Sequence, residues 1–138
     1  LPAKGRGKVL ADALECGVET VARAGIERLR RKSMALTDLF VALVEQECGA
    51  FGFALASPRE AERRGSHLAL LHPEGLALSR WLRAEGGVVA DFRPPDVLRF
   101  AVSPLYTTYT EAWDAMEALA SALKTGAHLG FAPGGRVT

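Results

Sequence analysis

The chain has 138 residues and a formal net charge of +1, and about half of its residues (49%) are hydrophobic. This length suits one domain with its own core and is too short for two ordinary domains, while the composition favours globular order over disorder. The balanced charge removes any global electrostatic argument for nucleic-acid binding.

The apolar runs are too short to span a membrane, and the first residues lack the apolar core and small-residue cleavage site of a secretory leader. The two cysteines, Cys16 and Cys48, do not form a Cys-x-x-Cys pair. That spacing favours buried thiols in a reducing compartment and leaves a disulfide without support. The sequence therefore predicts a soluble, cytoplasmic protein.

The first half of the chain is predicted to be mainly helical. Residues 1–8 are rich in Gly, Lys and Arg without a period, so they are predicted to be a mobile lead-in. Apolar residues at helical spacing predict a helix over residues 9–24, ended by Gly25, and a second helix over residues 26–48, which should be the longest. Alternation at residues 51–56 predicts the first strand.

The second half is predicted to alternate strands with helices. Residues 67–72 predict a mostly buried strand, and residues 73–85 predict a helix with proline in its first turn. Two short apolar runs, at residues 88–90 and 97–102, flank a turn at residues 93–96. Because consecutive prolines break a regular ladder, this pattern predicts strand, turn and strand.

The last predicted helix begins near Thr110, a capable N-cap residue, and buries one apolar stripe. The stripe consists of Trp113, Met116, Ala120 and Leu123. Residues 125–138 have few apolar anchors and are predicted to be a flexible tail, so the folded domain is predicted to span residues 9–124. The element order indicates an α+β fold, a two-layer small domain with helices packed on one face of a small, largely antiparallel sheet.

A basic cluster near the start of the second helix is predicted to be a solvated helix face rather than a polyanion site. Acidic residues offset it along the same helix, and no aromatic residues interleave with it. Its members are Arg23, Arg28, Arg30, Arg31 and Lys32.

Neither a metal site nor a known catalytic motif is predicted. The three histidines, His67, His72 and His128, match no metal-ligand spacing. The sequence also has no nucleophile elbow and no phosphate-binding glycine loop.

Arg99 is the residue that the pattern singles out. In the strand over residues 97–102, alternation places Leu98 and Phe100 on one face and Arg99 on the other. If that face is closed, the guanidinium needs an anion, and its planar fork suits two-point capture of a carboxylate, which could belong to a ligand. The alternative is an edge or solvent-facing position with a hydrated side chain. The residues alone leave both readings open.

Five stretches together resemble the C-terminal segment of bacterial kynureninases in order and spacing. They are residues 28–40, 65–67, 72–75, 91–100 and 103–107. The block over residues 91–107, which contains Leu98-Arg99-Phe100, is much more specific than any short motif in the chain. The likeness runs from about residue 13 to residue 123, which is most of the chain.

The resemblance implies a pyridoxal-phosphate enzyme of the aspartate-aminotransferase fold that hydrolyses L-kynurenine to anthranilate and L-alanine in tryptophan catabolism. The matching segment would be its small domain, and the whole enzyme a homodimer. By position, Arg99 would bind the α-carboxylate of the substrate. A two-point grip would orient the amino acid so that the bond to its α-hydrogen stands perpendicular to the cofactor ring.

In that family the Schiff-base lysine and the other cofactor-binding residues belong to a large domain upstream. None of the lysines here matches the surroundings of that residue. These lysines are Lys4, Lys8, Lys32 and Lys124. We therefore expect a separately made domain or a truncated product that has no catalytic, cofactor-binding or metal-binding residue and is inactive alone.

Two other functions remain open. One is a lyase or desulfurase of the same fold group, and the other is a non-catalytic module that uses Arg99 to hold a carboxylate or a partner. No nucleic-acid or membrane partner is predicted. Exposed apolar residues of the first helix, around Leu10, Leu14 and Val18, are expected where the large domain would dock, or else to drive self-association.

Overall fold

The computed structural model describes residues 3–132, with side chains from Gly7 onward. The helices are α1 (Ala3–Ala24), α2 (Ile26–Leu43), α3 (Gly75–Ala84) and α4 (Tyr109–Thr125). The strands are β1 (Ala54–Leu55), β2 (His67–Leu71), β3 (Asp91–Arg93) and β4 (Val97–Ala101). The connecting turns are a π-helical turn (Val44–Cys48) and 3-10 turns (Gly49–Phe51, Ala61–Arg63 and Ala127–Phe131).

The strands form one sheet in the order β1-β2-β4-β3. Each neighbouring pair is antiparallel, and β4 lies inside the sheet between β2 and β3. The predicted α+β class, with helices on a small and largely antiparallel sheet, is therefore confirmed.

Alternation along β2 and β4 divides the sheet into a buried face and an open face. On the buried face, Leu68 lies opposite Phe100 and Leu70 lies opposite Leu98, and none of the four is more than 4% exposed. Helix α2 packs on this face, where the Phe40 ring lies 5.0 Å from the Phe100 ring. Burying one such side chain is worth about 1.5–3 kcal/mol, so this layer is the core of the domain.

Helix α1 begins earlier than the sequence indicated. Residues 3–8, predicted to be a lead-in without regular structure, are helical, while residues 1–2 lie outside the described range. The side chains of residues 7–23 are all exposed, so no buried apolar stripe indicates where this helix begins. At 22 residues, α1 is also longer than α2, which has 18. Gly25 ends α1 as predicted, with a φ of 81° that glycine adopts without a Cβ clash.

Helix α2 is shorter than predicted, because its regular part ends at Leu43 and the next five residues widen into the π-helical turn. Its buried stripe begins at Ser33 and includes Leu36 and Phe40. Ile26, the first residue of the predicted helix, is 72% exposed, because the first turns of α2 precede the part that covers the sheet.

The first predicted strand, at residues 51–56, is reduced to β1. A 3-10 turn occupies residues 49–51, and Gly52 follows it with a φ of 87°. The chain therefore completes a turn before it joins the sheet, although the half-buried alternation of residues 51–55 resembles that of a strand.

Residues 88–90, also predicted to be a strand, precede β3 instead. The N–H of Val88 donates to the carbonyl oxygen of Leu82 at 2.9 Å, which ties this segment to the end of α3. The chain thus pairs with β4 only from Asp91 onward, as strand β3. The turn between β3 and β4 was predicted correctly and contains a cis Pro94–Pro95 bond.

Helix α4 has Thr108, not Thr110, as its N-cap, and Thr108 forms a capping box with Glu111. Three residues of the predicted stripe are buried, namely Met116, Ala120 and Leu123. Trp113, predicted to be buried, is 51% exposed. The buried stripe begins at Ala112, which leaves Trp113 at its margin.

The segment predicted as a flexible tail has regular structure over residues 125–132. Helix α4 continues to Thr125, and a 3-10 turn covers residues 127–131. The buried His128 side chain anchors this turn, with Nδ1 2.8 Å from the Ala122 carbonyl oxygen and Nε2 2.8 Å from Oε2 of Glu74. The tail prediction is corrected for these residues, and residues 133–138 lie outside the described range.

Candidate functional site

Arg99 lies on the open face of the sheet, near the middle of β4. The register places it opposite Ala69 of β2 on one side and Asp91 of β3 on the other. Its side chain is 38% exposed, while the neighbouring Leu98 and Phe100 are buried on the opposite face. The predicted alternation is therefore confirmed. Of the alternative, an edge or solvent-facing position, the edge part is wrong because β4 has a partner on each side, while the solvent-facing part agrees with the exposure of Arg99.

The guanidinium of Arg99 is held by Asp91. Arg99 Nε donates to Asp91 Oδ2 at 3.0 Å, and Arg99 Nη2 donates to the same oxygen. Arg93, on the same face, donates from Nε to Asp91 Oδ2 at 2.9 Å. Asp91 is thus shared by two arginines, and the partly exposed Arg99 forms an ion pair within the chain.

The three-residue cluster of Asp91, Arg93 and Arg99 carries one negative and two positive charges. The hydrogen bond from Arg99, followed by that from Arg93, lowers the pKa of the Asp91 carboxyl group from its ordinary value. Asp91 therefore stays ionised near neutral pH. One positive charge remains uncompensated within the cluster, which suits a site for a single carboxylate.

One edge of the Arg99 guanidinium is left over. Asp91 occupies the edge formed by Nε and Nη2, so the terminal edge formed by Nη1 and Nη2 remains. Among residues 7–132, no protein group accepts a hydrogen bond from Nη1. That terminal edge is a geometry in which arginine binds a carboxylate through two parallel N–H donors.

Asp91 was not predicted from the sequence as a residue of this site. The turn at residues 93–96 was predicted, and the register that pairs Arg93 with Val97 places Asp91 opposite Arg99 two positions further along. Counting outward from that turn would have found the pair, because facing residues of an antiparallel pair lie on the same side of the sheet. The misplaced strand at residues 88–90 concealed it.

The histidines have separate environments. His67 is exposed and shares the open face of β2, while His72 is buried and stacked on Phe53 with ring centroids 4.5 Å apart. His72 Nδ1 accepts the N–H of Glu74 at 3.1 Å, and Nε2 lies 2.9 Å from the Phe51 carbonyl oxygen. Within the described residues, His67, His72 and His128 belong to no group that could hold a metal ion.

Both cysteines are free thiols. Cys48 is fully buried, and burial followed by the charge of Glu47 raises its pKa to about 11. Cys16 is exposed on α1, so the prediction that both thiols are buried holds for Cys48 alone.

Two residues of the basic cluster hold carbonyl groups of the chain. Arg28 donates to the carbonyl oxygens of Ala24 and Arg23 at the end of α1. Arg30 donates to three carbonyl oxygens in the segment before β2, with distances of 2.8 to 2.9 Å. Their donors stabilise turns, which gives this part of the cluster a structural role.

The open face has no lysine among its strand residues. Its positions are Ala54, His67, Ala69, Leu71, Asp91, Arg93, Val97, Arg99 and Ala101. Lys8, Lys32 and Lys124 lie on helices, and Lys124 pairs with Glu47 at 3.2 Å. The described strands thus contribute guanidinium groups to this face and no lysine amine.

Within residues 3–132, no helix is both long enough and apolar enough to cross a membrane.

Comparison with known proteins identifies one family. Residues 29–119 match the family described as the kynureninase C-terminal domain. The chain is 48% identical over 120 residues to a kynureninase of Pseudomonas fluorescens, and the match covers 86% of the chain and 29% of that protein. It is 44% identical over 114 residues to kynureninases of Burkholderia mallei and Burkholderia pseudomallei, which covers 83% of the chain and 27% of each relative. The chain thus spans less than a third of the length of these relatives. It belongs to the kynureninase family and matches the C-terminal domain of its members.

Proposed function

We propose that this chain is the C-terminal domain of a pyridoxal-phosphate-dependent kynureninase, which hydrolyses L-kynurenine to anthranilate and L-alanine. In this proposal Arg99 binds the α-carboxylate of the substrate. The observation that carries the proposal is the state of the Arg99 guanidinium. It lies half-exposed on an interior strand and is anchored by Asp91 on one edge, while among residues 7–132 no protein group occupies its terminal edge.

The physical task of Arg99 is orientation. Two parallel N–H donors fix both the position and the plane of a carboxylate, which a single point charge cannot do. The incoming negative charge also compensates the uncompensated positive charge of the cluster. An amino acid held by its carboxylate has only rotation about a few bonds left, so its reacting bonds are placed in advance.

In this proposal the residues that the structure describes do not form a cofactor site by themselves. Pyridoxal phosphate is held through a lysine amine, and the open face offers none among the described strand positions. We infer that the cofactor is bound by the part of the enzyme that corresponds to the unmatched majority of the relatives, in a homodimer. The chain alone is therefore expected not to turn over L-kynurenine.

The test is a chimera in which this chain replaces the segment of the Pseudomonas fluorescens kynureninase that it matches. We expect the purified chimera to release anthranilate from L-kynurenine, measured by fluorescence with pyridoxal phosphate present. Absence of turnover, with cofactor absorbance intact, would contradict the proposed reaction.

Arg99→Gln in that chimera should lower kcat/KM by about a hundredfold or more, because two charge-assisted hydrogen bonds to the carboxylate are lost. Arg99→Lys should have a kcat/KM between those of the parent chimera and Arg99→Gln, because an ammonium supplies one point of contact. Arg59→Gln is the matched control, since Arg59 also pairs with a carboxylate, Glu45, away from the open face. Equal loss in the Arg59 and Arg99 variants would exclude carboxylate binding by Arg99.

A further inference from the structure

The Arg99 side chain does not stand alone on the open face. The β3–β4 register sets Asp91 directly across from it, and both hydrogen bonds from Arg99 end on one oxygen, Asp91 Oδ2. The contact is therefore made through Nε and Nη2, the side edge of the guanidinium. This arrangement determines which way the remaining donors face.

We infer that Asp91 is the positioning residue of the substrate site, because it holds the side edge of Arg99 and so presents the terminal edge to the substrate carboxylate. The inference rests on the proposed function and adds a specific residue to it. A free arginine has many rotamers, and ordering it on binding costs conformational entropy. The ion pair with Asp91 orders the side chain before the substrate arrives.

The site also restricts the geometry of capture. With the side edge filled by Asp91, a ligand carboxylate has the terminal edge, formed by Nη1 and Nη2, as its two-point partner. Arg93 holds Asp91 from its own side through a 2.9 Å bond to Oδ2, so the aspartate is itself restrained. The charges of the group favour one additional anion and disfavour an additional cation.

The same contacts would also be present if Asp91 competed with the substrate for Arg99. If Asp91 were a competitor that blocks Arg99 until the substrate displaces it, removing its charge would strengthen substrate binding. As a positioning residue, its removal weakens binding. The sign of the effect of Asp91→Asn on KM therefore separates the two.

The first measurement uses the full 138-residue chain and the guanidinium resonances of arginine in NMR spectra. We expect the Arg99 Hε signal to be shifted and slowly exchanging, and Asp91→Asn to abolish both properties. Arg59, which donates to both oxygens of Glu45, gives an internal comparison that Asp91→Asn should leave unchanged. An Arg99 signal that is already averaged in the parent chain would overturn the inference.

The second measurement uses the catalytic chimera. Asp91→Asn should raise KM for L-kynurenine about tenfold or more with a smaller change in kcat, because a misplaced arginine weakens the grip on the carboxylate. Inhibition by 2-aminoacetophenone, a ketone without a carboxylate, should be unchanged, whereas a general structural defect would weaken it too. Glu45→Gln is the matched control and should leave KM unchanged.

The two measurements separate the possible failures. A parent chimera without turnover would refute the proposed function, and the inference would fall with it even where the NMR spectra show an anchored Arg99. An active parent with an unchanged or lower KM in Asp91→Asn would overturn the role of Asp91 alone.

Discussion

Arg99 and Arg64 show how exposure determines what an arginine does. The Arg64 side chain is 1% exposed, and its Nη1 donates to the carbonyl oxygens of Pro58 and Arg59. Its Nη2 donates to Asp38, so the loop before β2 is pinned to α2. Arg99 is 38% exposed and retains a donor without a protein acceptor among the described residues. An arginine with unused donors at the surface suits a ligand, whereas a buried one with its terminal donors engaged holds the fold.

Arg64→Ala is expected to destabilise the chain by about 2–3 kcal/mol, because several part-buried hydrogen bonds from a buried charged group are lost together. Arg63→Ala, at the neighbouring position with a side chain that is 72% exposed, is the control and should change stability by less than about 0.5 kcal/mol. Urea unfolding followed by circular dichroism measures both. Equal midpoints for the two variants would show that the Arg64 contacts are not stabilising.

The two thiols should differ sharply in reactivity. At pH 8 a thiol reagent such as Ellman's should label Cys16 in the folded chain and both cysteines after unfolding. Cys48 should remain protected, since it is buried and its pKa is raised to about 11. The pKa of the Cys48 thiol is higher in the folded chain than in the unfolded chain. The free energy of unfolding therefore falls as pH rises from about 8.5 towards 11. Labelling of two thiols without denaturant would contradict the buried position of Cys48.

At the scale of elements, the start of α4 is set by reciprocal hydrogen bonds. Thr108 Oγ1 accepts the N–H of Glu111 at 3.1 Å, and Glu111 Oε2 accepts the N–H of Thr108 at 2.7 Å. The hydrogen bond from the Thr108 backbone is the main cause of the lowered pKa of Glu111. The capping box thus satisfies two N–H donors at this end of the helix.

Thr108→Ala should therefore cost about 1 kcal/mol of stability. Thr110→Ala should cost less than about 0.5 kcal/mol, because Thr110 lies inside the first turn and is exposed. The two variants thus compare Thr108, the N-cap in the structure, with Thr110, the N-cap predicted from the sequence. Thermal unfolding of both variants decides it, and a larger loss for Thr110→Ala would favour the sequence-based N-cap.

The elements that sequence patterns predicted well are those with a buried face. Strands β2 and β4 alternate between core and open face, and α2 and α4 carry buried stripes, so the hydrophobic period locates the middle of each of these elements. The elements that were misplaced depend on backbone hydrogen bonds instead. Residues 88–90 are apolar, yet Val88 is bonded to the end of α3, and no hydrophobic pattern reports such a bond.

The residues of the candidate site also differ in whether the sequence predicts them. Arg99 was predicted because a charged residue interrupts an apolar strand. Asp91 was missed because its importance comes from the residue across the sheet and not from its own neighbours in sequence. The buried anchor His128 was missed because its partners, Glu74 and Ala122, are 54 and 6 residues away in the chain.

At the scale of the whole molecule, α1 is the part least covered by the rest. Leu10, Leu14 and Val18 are 70%, 69% and 60% exposed, which confirms the expected apolar surface on the first helix. Because the chain spans less than a third of its relatives, we expect the remainder of the enzyme to cover this stripe.

Gly25 is the whole of the link between α1 and α2, with a φ of 81° and a ψ of 125°. At about 1.5 Å per residue, the 22 residues of α1 form a rod of about 33 Å. Because α1 is joined to the domain at Gly25, a rotation of about 10° at this residue moves the far end of the helix by about 6 Å, close to one helical pitch. Torsion at a single residue thus determines where the apolar stripe meets any surface that it packs against.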